Sequence, residues 1–262
     1  MMHLGMHCST AGGPHKAVER CLSCGGEIMQ IFVKNNMQWL GKPYAAEERA
    51  RFAAAVESAG LKAVFGHTGY LINLGAPPSP NRDRSLESLI QEIELAESLG
   101  LPFLVLHPGA HLGAGEDRGL QRVSRALDEV FRATRSSPVR IALENTAGQG
   151  TCLGAKIAHL ATILEHVATP RRLGVCLDTA HFFAAGYDLR TGDERSFSMP
   201  DRCPACGERV AQKAMASGAG TEVAIRCENL QCPAQKTRRI EYFGQRGTLN
   251  IEALGGIVAD KI

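Results

Sequence analysis

A chain of 262 residues with 44% hydrophobic content is long enough for one large domain or a domain with an appendage, and is ordinary for a globular protein. A formal charge of +2 is too mild to establish a nucleic-acid partner, no run approaches the roughly 18 apolar residues of a membrane span, and the opening MMHLGMHCST lacks the basic and apolar segments of a signal peptide. A cytoplasmic protein with no membrane partner is expected, so its nine cysteines are read as packing groups or metal ligands rather than disulfides.

In chain order, His3–His7 reads as a weak first strand, and Cys21 and Cys24 form a CxxC within a helix, where packing is the expected role. Apolar runs at Ile28–Val33, Leu61–Phe65, Pro102–Leu106, Val139–Leu143 and Leu173–Leu177 have the character of buried parallel strands. Between them, Ala45–Ala59, Ser85–Leu99 and Leu120–Thr134 have helical periodicity, with Ser85 placed as an N-cap. His159 and His166 are expected to be solvated on an outer helix, His111 to be structural, and Cys8, Cys152 and Cys176 to be small buried side chains. A βα unit repeated about six times means a parallel sheet, either open and doubly wound or closed as a (β/α)₈ TIM-type barrel. No GxGxxG follows the first strand, which removes support for dinucleotide binding.

The strand ends carry the chemistry. His67 follows KAVFG, His107 follows PFLVL, Glu144 follows VRIAL, and Asp178 follows LGVCL with His181 three residues on. Glu144 is followed by Asn145, Thr146 and two nearby glycines, a loop expected to be too polar and flexible to be core. In a parallel barrel all strand C-termini share one face, so these side chains converge on one cavity. Histidines with carboxylates suit zinc or a similar divalent ion, and a carboxylate between two His-bearing strands can bridge two ions.

The segments HTGYLINLG (67–75), HPGAHL (107–112), LENTAGQG (143–150) and VCLDTAHFFAAGYDLRT (175–191), with the opening LGMHCSTAGG, resemble bacterial endonuclease IV over residues 3–191. The resemblance implies a zinc-dependent (β/α)₈ barrel that cuts duplex DNA on the 5′ side of abasic sites. It also implies that His67, His107 and Glu144 hold one zinc, that Glu144 and Asp178 contribute to a second, and that His181 contributes to a third. Such a multi-metal site supplies the nucleophile near neutral pH and neutralises the phosphate and leaving oxygen, so no side-chain nucleophile is required. Asn35 and Tyr70 match positions that contact or replace displaced DNA, and an abasic nucleotide costs less to extrude than a paired base. The family often has an Arg where this chain has Met37. The βα rhythm stops at Thr191, and no histidine follows His181. A barrel truncated after about six units is therefore expected, with fewer zinc ions than the family's three and an impaired activity.

Residues 192–200 read as a linker. Cys203 and Cys206, in CPACG, and Cys227 and Cys232, in RCENLQCPAQ, make two close pairs separated by about twenty residues, the pattern of a closed structural zinc finger spanning 201–236. With IEYFGQRGTLNIEALGG they resemble the tetracysteine finger and the start of the helix-hairpin-helix, here 237–262, of bacterial NAD-dependent DNA ligase. By that resemblance Arg226, Arg238 and Arg239, with Lys236 and Arg246, serve as phosphate contacts. No KxDG adenylation motif is present, so neither NAD nor ligase activity is implied. The expected state is a monomer if folded, with the open barrel's edges an aggregation hazard. Two alternatives are a non-catalytic zinc-finger DNA-binding fusion and a sugar isomerase, whose barrels also gather histidines and carboxylates.

Overall fold

Six short strands form one parallel sheet: β1 (Gly5–His7), β2 (Ile28–Phe32), β3 (Ala63–His67), β4 (Phe103–Leu106), β5 (Arg140–Glu144) and β6 (Leu173–Cys176). Each strand pairs with its sequence neighbour, in the order β1 to β6. A doubly wound sheet reverses direction at a switch point, whereas a barrel adds each strand on the same side of the last. The monotonic order therefore settles the alternative left open by periodicity in favour of barrel winding. Among the described residues β1 and β6 are the two edges of this sheet.

The computed structural model describes residues 3–188, 201–203, 205–217, 220–236 and 239, in two units, 1–190 and 191–262. The 192–200 linker, Arg238, Arg246 and, apart from Arg239, the 237–262 helix-hairpin-helix reading lie outside the described residues.

In the first unit β4 and β5 are buried at consecutive positions, on both faces, while β2 and β3 alternate buried with half-buried residues and Val175 of β6 is exposed. Met29, Ile31, Leu104, Ile141 and Leu143 are fully buried. Gly66 in β3 is required by close approach, since a Cβ there would collide with the Leu104 side chain across the β3–β4 pair. Around the sheet lie α1 (Pro14–Ser23), α2 (Ala46–Ala59), α3 (Pro80–Ser98), α4 (Glu116–Ala133), α5 (Ile157–His166) and α6 (Thr179–Ala184). The stripe Leu120, Val123, Leu127, Val130 and Phe131 of α4 is buried at helical spacing, which is how a polar sequence supplies an apolar face. Gly60 ends α2 in the left-handed conformation, φ 62°, where a Cβ would be strained.

Several expectations are corrected. Helix α3 begins at Pro80, and its cap is Ser79, whose side chain accepts from the Arg82 N–H at 3.2 Å. Ser85 lies inside the helix, buried, with its hydroxyl donating to the Asn81 carbonyl. Proline suits the first helical position because its missing N–H would have no intrahelical partner there. His159 is buried rather than solvated: its Nδ1 accepts from Gly154 N–H at 3.1 Å and its Nε2 faces Glu116 at 3.3 Å. Cys24 is exposed, while Cys152 and Cys176 are only partly buried.

The second unit contains a hairpin that the cysteine spacing did not reveal, β7 (Val210–Ser217) against β8 (Gly220–Cys227), antiparallel with Val210 opposite Cys227. Among the described residues no helix is long and apolar enough to cross a membrane.

Candidate metal centre

The sheet brings the strand-end side chains together. His67 is the last residue of β3, His107 the first after β4, Glu144 the last of β5, and Asp178 the N-cap of α6, two residues past β6. Adjacent parallel strands end side by side, so residues far apart in sequence meet at one rim.

Glu144 is the hub. Its Oε2 lies 3.3 Å from His67 Nε2 and 2.8 Å from His107 Nε2, and its Oε1 lies 3.7 Å from His181 Nδ1. The donor atoms of His67, His107 and Glu144 form one cluster, and those of Glu144, Asp178 and His181 a second, each within 4.8 Å. Glu144 belongs to both. His67 Nδ1 donates to the Thr68 carbonyl at 2.7 Å, which leaves a lone pair on the Nε2 of the neutral ring. A lone pair against a carboxylate oxygen is repulsive, so the cluster calls for positive charge between its members, whether ring protons or a metal ion. Burial opposes charge on Glu144, but His107 and His67 outweigh it and hold the carboxyl at about 2. Burial likewise disfavours a charged His67, but Glu144 and the Thr68 carbonyl prevail and raise its pKa.

The second cluster depends on a residue that the strand-end pattern did not select. Asn145 is fully buried, and Thr146 nearly so, which corrects the expectation of a flexible, non-core loop. The Asn145 amide donates to the Asp178 carbonyl at 2.9 Å and its oxygen accepts the Asp178 N–H at 2.6 Å. A polar residue directly after Glu144 in a run of strand residues was the available signal. The Asn145 carbonyl also accepts from His181 Nδ1 at 2.9 Å, and the Asp178 carboxylate accepts the His181 N–H at 2.7 Å. These bonds hold the His181 ring against Glu144 and Asp178, its Nδ1 lying 3.7 and 3.8 Å from their carboxylate oxygens. Between these groups Cys176 stays a thiol: burial, reinforced by Glu144 and Asp178, pushes it to about 11.

Asn35 and Tyr70 stand exposed on loops at the same rim. Tyr70 packs edge-on to Phe32 at 5.3 Å between ring centres and lies 6.4 Å from the His67 ring. A cavity of about 350 Å³ opens beside them, lined by His7, Ser9, Thr10, Phe32, Asn35 and Asn36 among others. His111 has the structural role expected, its Nδ1 accepting the Gly115 N–H at 3.1 Å.

In the second unit Cys203, Cys206, Cys227 and Cys232 gather with all four sulfurs within 4.8 Å, Cys206 lying 3.5 Å from Cys227 and Cys203 3.9 Å from Cys232. Arg226 is opposite Ala211 in the hairpin register, and Lys236 and Arg239 are exposed.

Residues 18–220 match the family described as the xylose isomerase-like TIM barrel. A probable endonuclease 4 from Chloroflexus aggregans is 45% identical over 204 residues, covering 77% of this chain and 71% of that protein. One from Geobacter sulfurreducens is 45% identical over 202 residues, covering 76% and 68%. The chain belongs to the endonuclease IV family. The crystal structure of endonuclease IV from Thermus thermophilus is similar with a TM-score of 0.62 at 34% identity, over 71% of this chain and 66% of that one. A D-tagatose 3-epimerase-like protein, at 17% identity and a TM-score of 0.55, shares the fold alone. Endonuclease IV proteins use zinc, and the nitrogen and carboxylate donors around Glu144 suit that ion.

Proposed function

We propose that this chain is a zinc-dependent phosphodiesterase of endonuclease IV type that cuts duplex DNA on the 5′ side of abasic sites. The observation that carries the reading is Glu144 flanked by His67 and His107 on one side and by Asp178 and His181 on the other, within a chain 45% identical to probable endonuclease 4 proteins. His67, His107 and Glu144 would hold one ion, Glu144 and Asp178 would contribute to a second, and His181 to a third, with Glu144 shared between the first two. Zinc bound there supplies Lewis acidity and a nucleophile at neutral pH.

The protein's own groups do the rest. Thr68 fixes the His67 ring so that Nε2 faces the site, and Asn145 fixes Asp178 and His181 from below. Fixing a ligand in this way removes reorganisation from the binding step. Asn35 and Tyr70, both exposed at the rim, are the groups assigned to the DNA in this reading, Tyr70 filling space beside an extruded abasic nucleotide. Incision of a duplex carrying one abasic analogue, with zinc added, is the test. Cleavage by Glu144→Ala at the wild-type rate refutes the reading.

The four-thiolate cluster supports a second, separable role, a closed structural zinc site whose unit binds DNA phosphates through Arg226, Lys236, Arg238 and Arg239. Its likeness to the finger of NAD-dependent DNA ligase belongs to this proposal. Salt-dependent DNA binding that survives Glu144→Ala and is lost in Cys203→Ser supports it; binding untouched by Cys203→Ser overturns it.

A further inference from the structure

Lys34 and Glu92 form a charged pair inside the barrel unit. Nζ lies 2.9 Å from Oε1, and the side chains are 4% and 0% exposed. Taking two charges out of water costs several kcal/mol each, and an apolar pair of similar volume often stabilises a core as well or better. Stability is therefore a weak reason for the pair, and its geometry offers a stronger one.

The remaining bonds of the pair reach two loops and one helical serine. Lys34 Nζ donates to the Gln38 carbonyl at 2.6 Å, folding the loop after β2 back on its own start. Both Glu92 oxygens accept the Gly69 N–H, at 3.0 and 3.2 Å, which holds the loop after β3, and Ser88 Oγ donates to Glu92 at 3.3 Å. The neighbouring Gln91 accepts the Gly41 N–H at 2.7 Å and donates to the Gly41 carbonyl at 3.3 Å. The middle of α3 thus grips the first loop at Gly41 and, through Lys34, at Gln38, and the second at Gly69. The loops are also tied together, Tyr70 N–H donating to the Asn36 carbonyl at 3.1 Å.

Gly69 shows how close this junction is. A Cβ there would sit 3.0 Å from Lys34 Nζ, 3.2 Å from the Asn36 oxygen and 3.3 Å from Glu92 Oε1. Above these buried anchors the tips are open: Met37 and Tyr70 are each 64% exposed, and Asn35 is exposed. Thr68, next to Gly69, is buried, and its carbonyl orients His67.

We propose that Lys34 and Glu92 are positioning residues that hold the two DNA-facing loops, and with them Asn35 and Tyr70, in the geometry that engages an abasic nucleotide. The proposal rests on the DNA-incision reading above. Neither residue is hydrogen-bonded to a metal donor; each holds loop backbone, and the Glu92 charge also acts at longer range on His67.

The single tryptophan, Trp39, lies between Gln38 and Gly41 and reports the order of the first loop without reference to activity. The test compares the zinc-loaded full chain with Glu92→Gln and with Lys34→Met/Glu92→Met, which removes both charges and retains side-chain volume. The substrates are a duplex with one tetrahydrofuran abasic analogue and bis(p-nitrophenyl) phosphate, a small diester that makes no use of the loops. In both variants acrylamide quenching of Trp39 is expected to rise about twofold or more and KM for the duplex about tenfold or more, with kcat and small-diester hydrolysis within about threefold of wild type.

Wild-type quenching and KM in the double variant overturn the proposal. So does a parallel loss of both activities, because the pair then supports the whole fold. If the wild-type protein incises no abasic duplex, the DNA reading fails on its own, and Trp39 alone decides whether the pair holds the loop: raised quenching supports the proposal and unchanged quenching overturns it.

Discussion

Replacing Glu144 with Gln keeps the shape of the side chain and removes its charge. In metal-free protein that charge stabilises the fold, because the carboxyl sits at about 2 against an ordinary 4.5. The difference corresponds to about 3 kcal/mol, and since the residue is 6% exposed, solvent screening removes little of it. A lowered folded-state pKa gives stability that is complete above the unfolded carboxyl value and lost as pH falls through the folded one. The raised pKa of His67 acts in the opposite sense: its contribution is complete below its ordinary 6.5 and fades as pH rises through the raised value. The pairing therefore supports the metal-free fold most between about pH 4.5 and 6.5. For a unit of 190 residues, about 3 kcal/mol translates to roughly 6–12 °C in Tm. Melting followed by circular dichroism in chelator, from pH 2.5 to 7, is the assay. Wild type and Glu144→Gln should differ by roughly that amount near pH 5.5 and converge toward pH 2.5. A gap of the same size at both ends refutes the electrostatic account of Glu144.

Three further outcomes are expected. Asn145→Ala leaves the Asp178 N–H and carbonyl without their partner; it should cost about 2–3 kcal/mol in chemical denaturation and lower abasic-site incision by about 10–100-fold, with zinc content measured alongside. Leu143→Ala, at a fully buried position of the strand that delivers Glu144, should cost about 2–5 kcal/mol through the cavity it leaves, measured by urea unfolding. Removing zinc from the four-cysteine unit, or substituting Cys232 with Ser, should open 201–236 to limited proteolysis while the melting of 1–190 is unchanged; equal protection with and without metal counts against a structural ion.

Much of the first unit was readable in one dimension. The strands fall within about two residues of the apolar runs, because a parallel sheet draws apolar residues to both faces, completely so in β4 and β5. His67, His107, Glu144 and Asp178 were legible for the same reason: they are the residues at which those runs stop. Where the reading failed, a polar side chain had found its partner from a distant segment. His159 is buried against Glu116, Ser85 accepts the Asn73 N–H from the loop before α3, and Asn145 continues the β5–β6 pairing through its amide. Nothing in a local window distinguishes these from solvated residues, since burial of a polar group depends on bonds that form only after the strands are side by side.

The amino-acid sequence by itself therefore determined the βα alternation, the strand-end donors and the two cysteine pairs, all of which rest on period and spacing. Tertiary structure alone decided the rest. Monotonic strand order selected barrel winding, adjacency of strand ends made Glu144 the common member of two donor clusters, and the buried Lys34–Glu92 pair joined two loops to α3. These are relations between segments tens of residues apart. Their energies arise from desolvation and contact after chain closure, quantities that no single stretch of sequence contains.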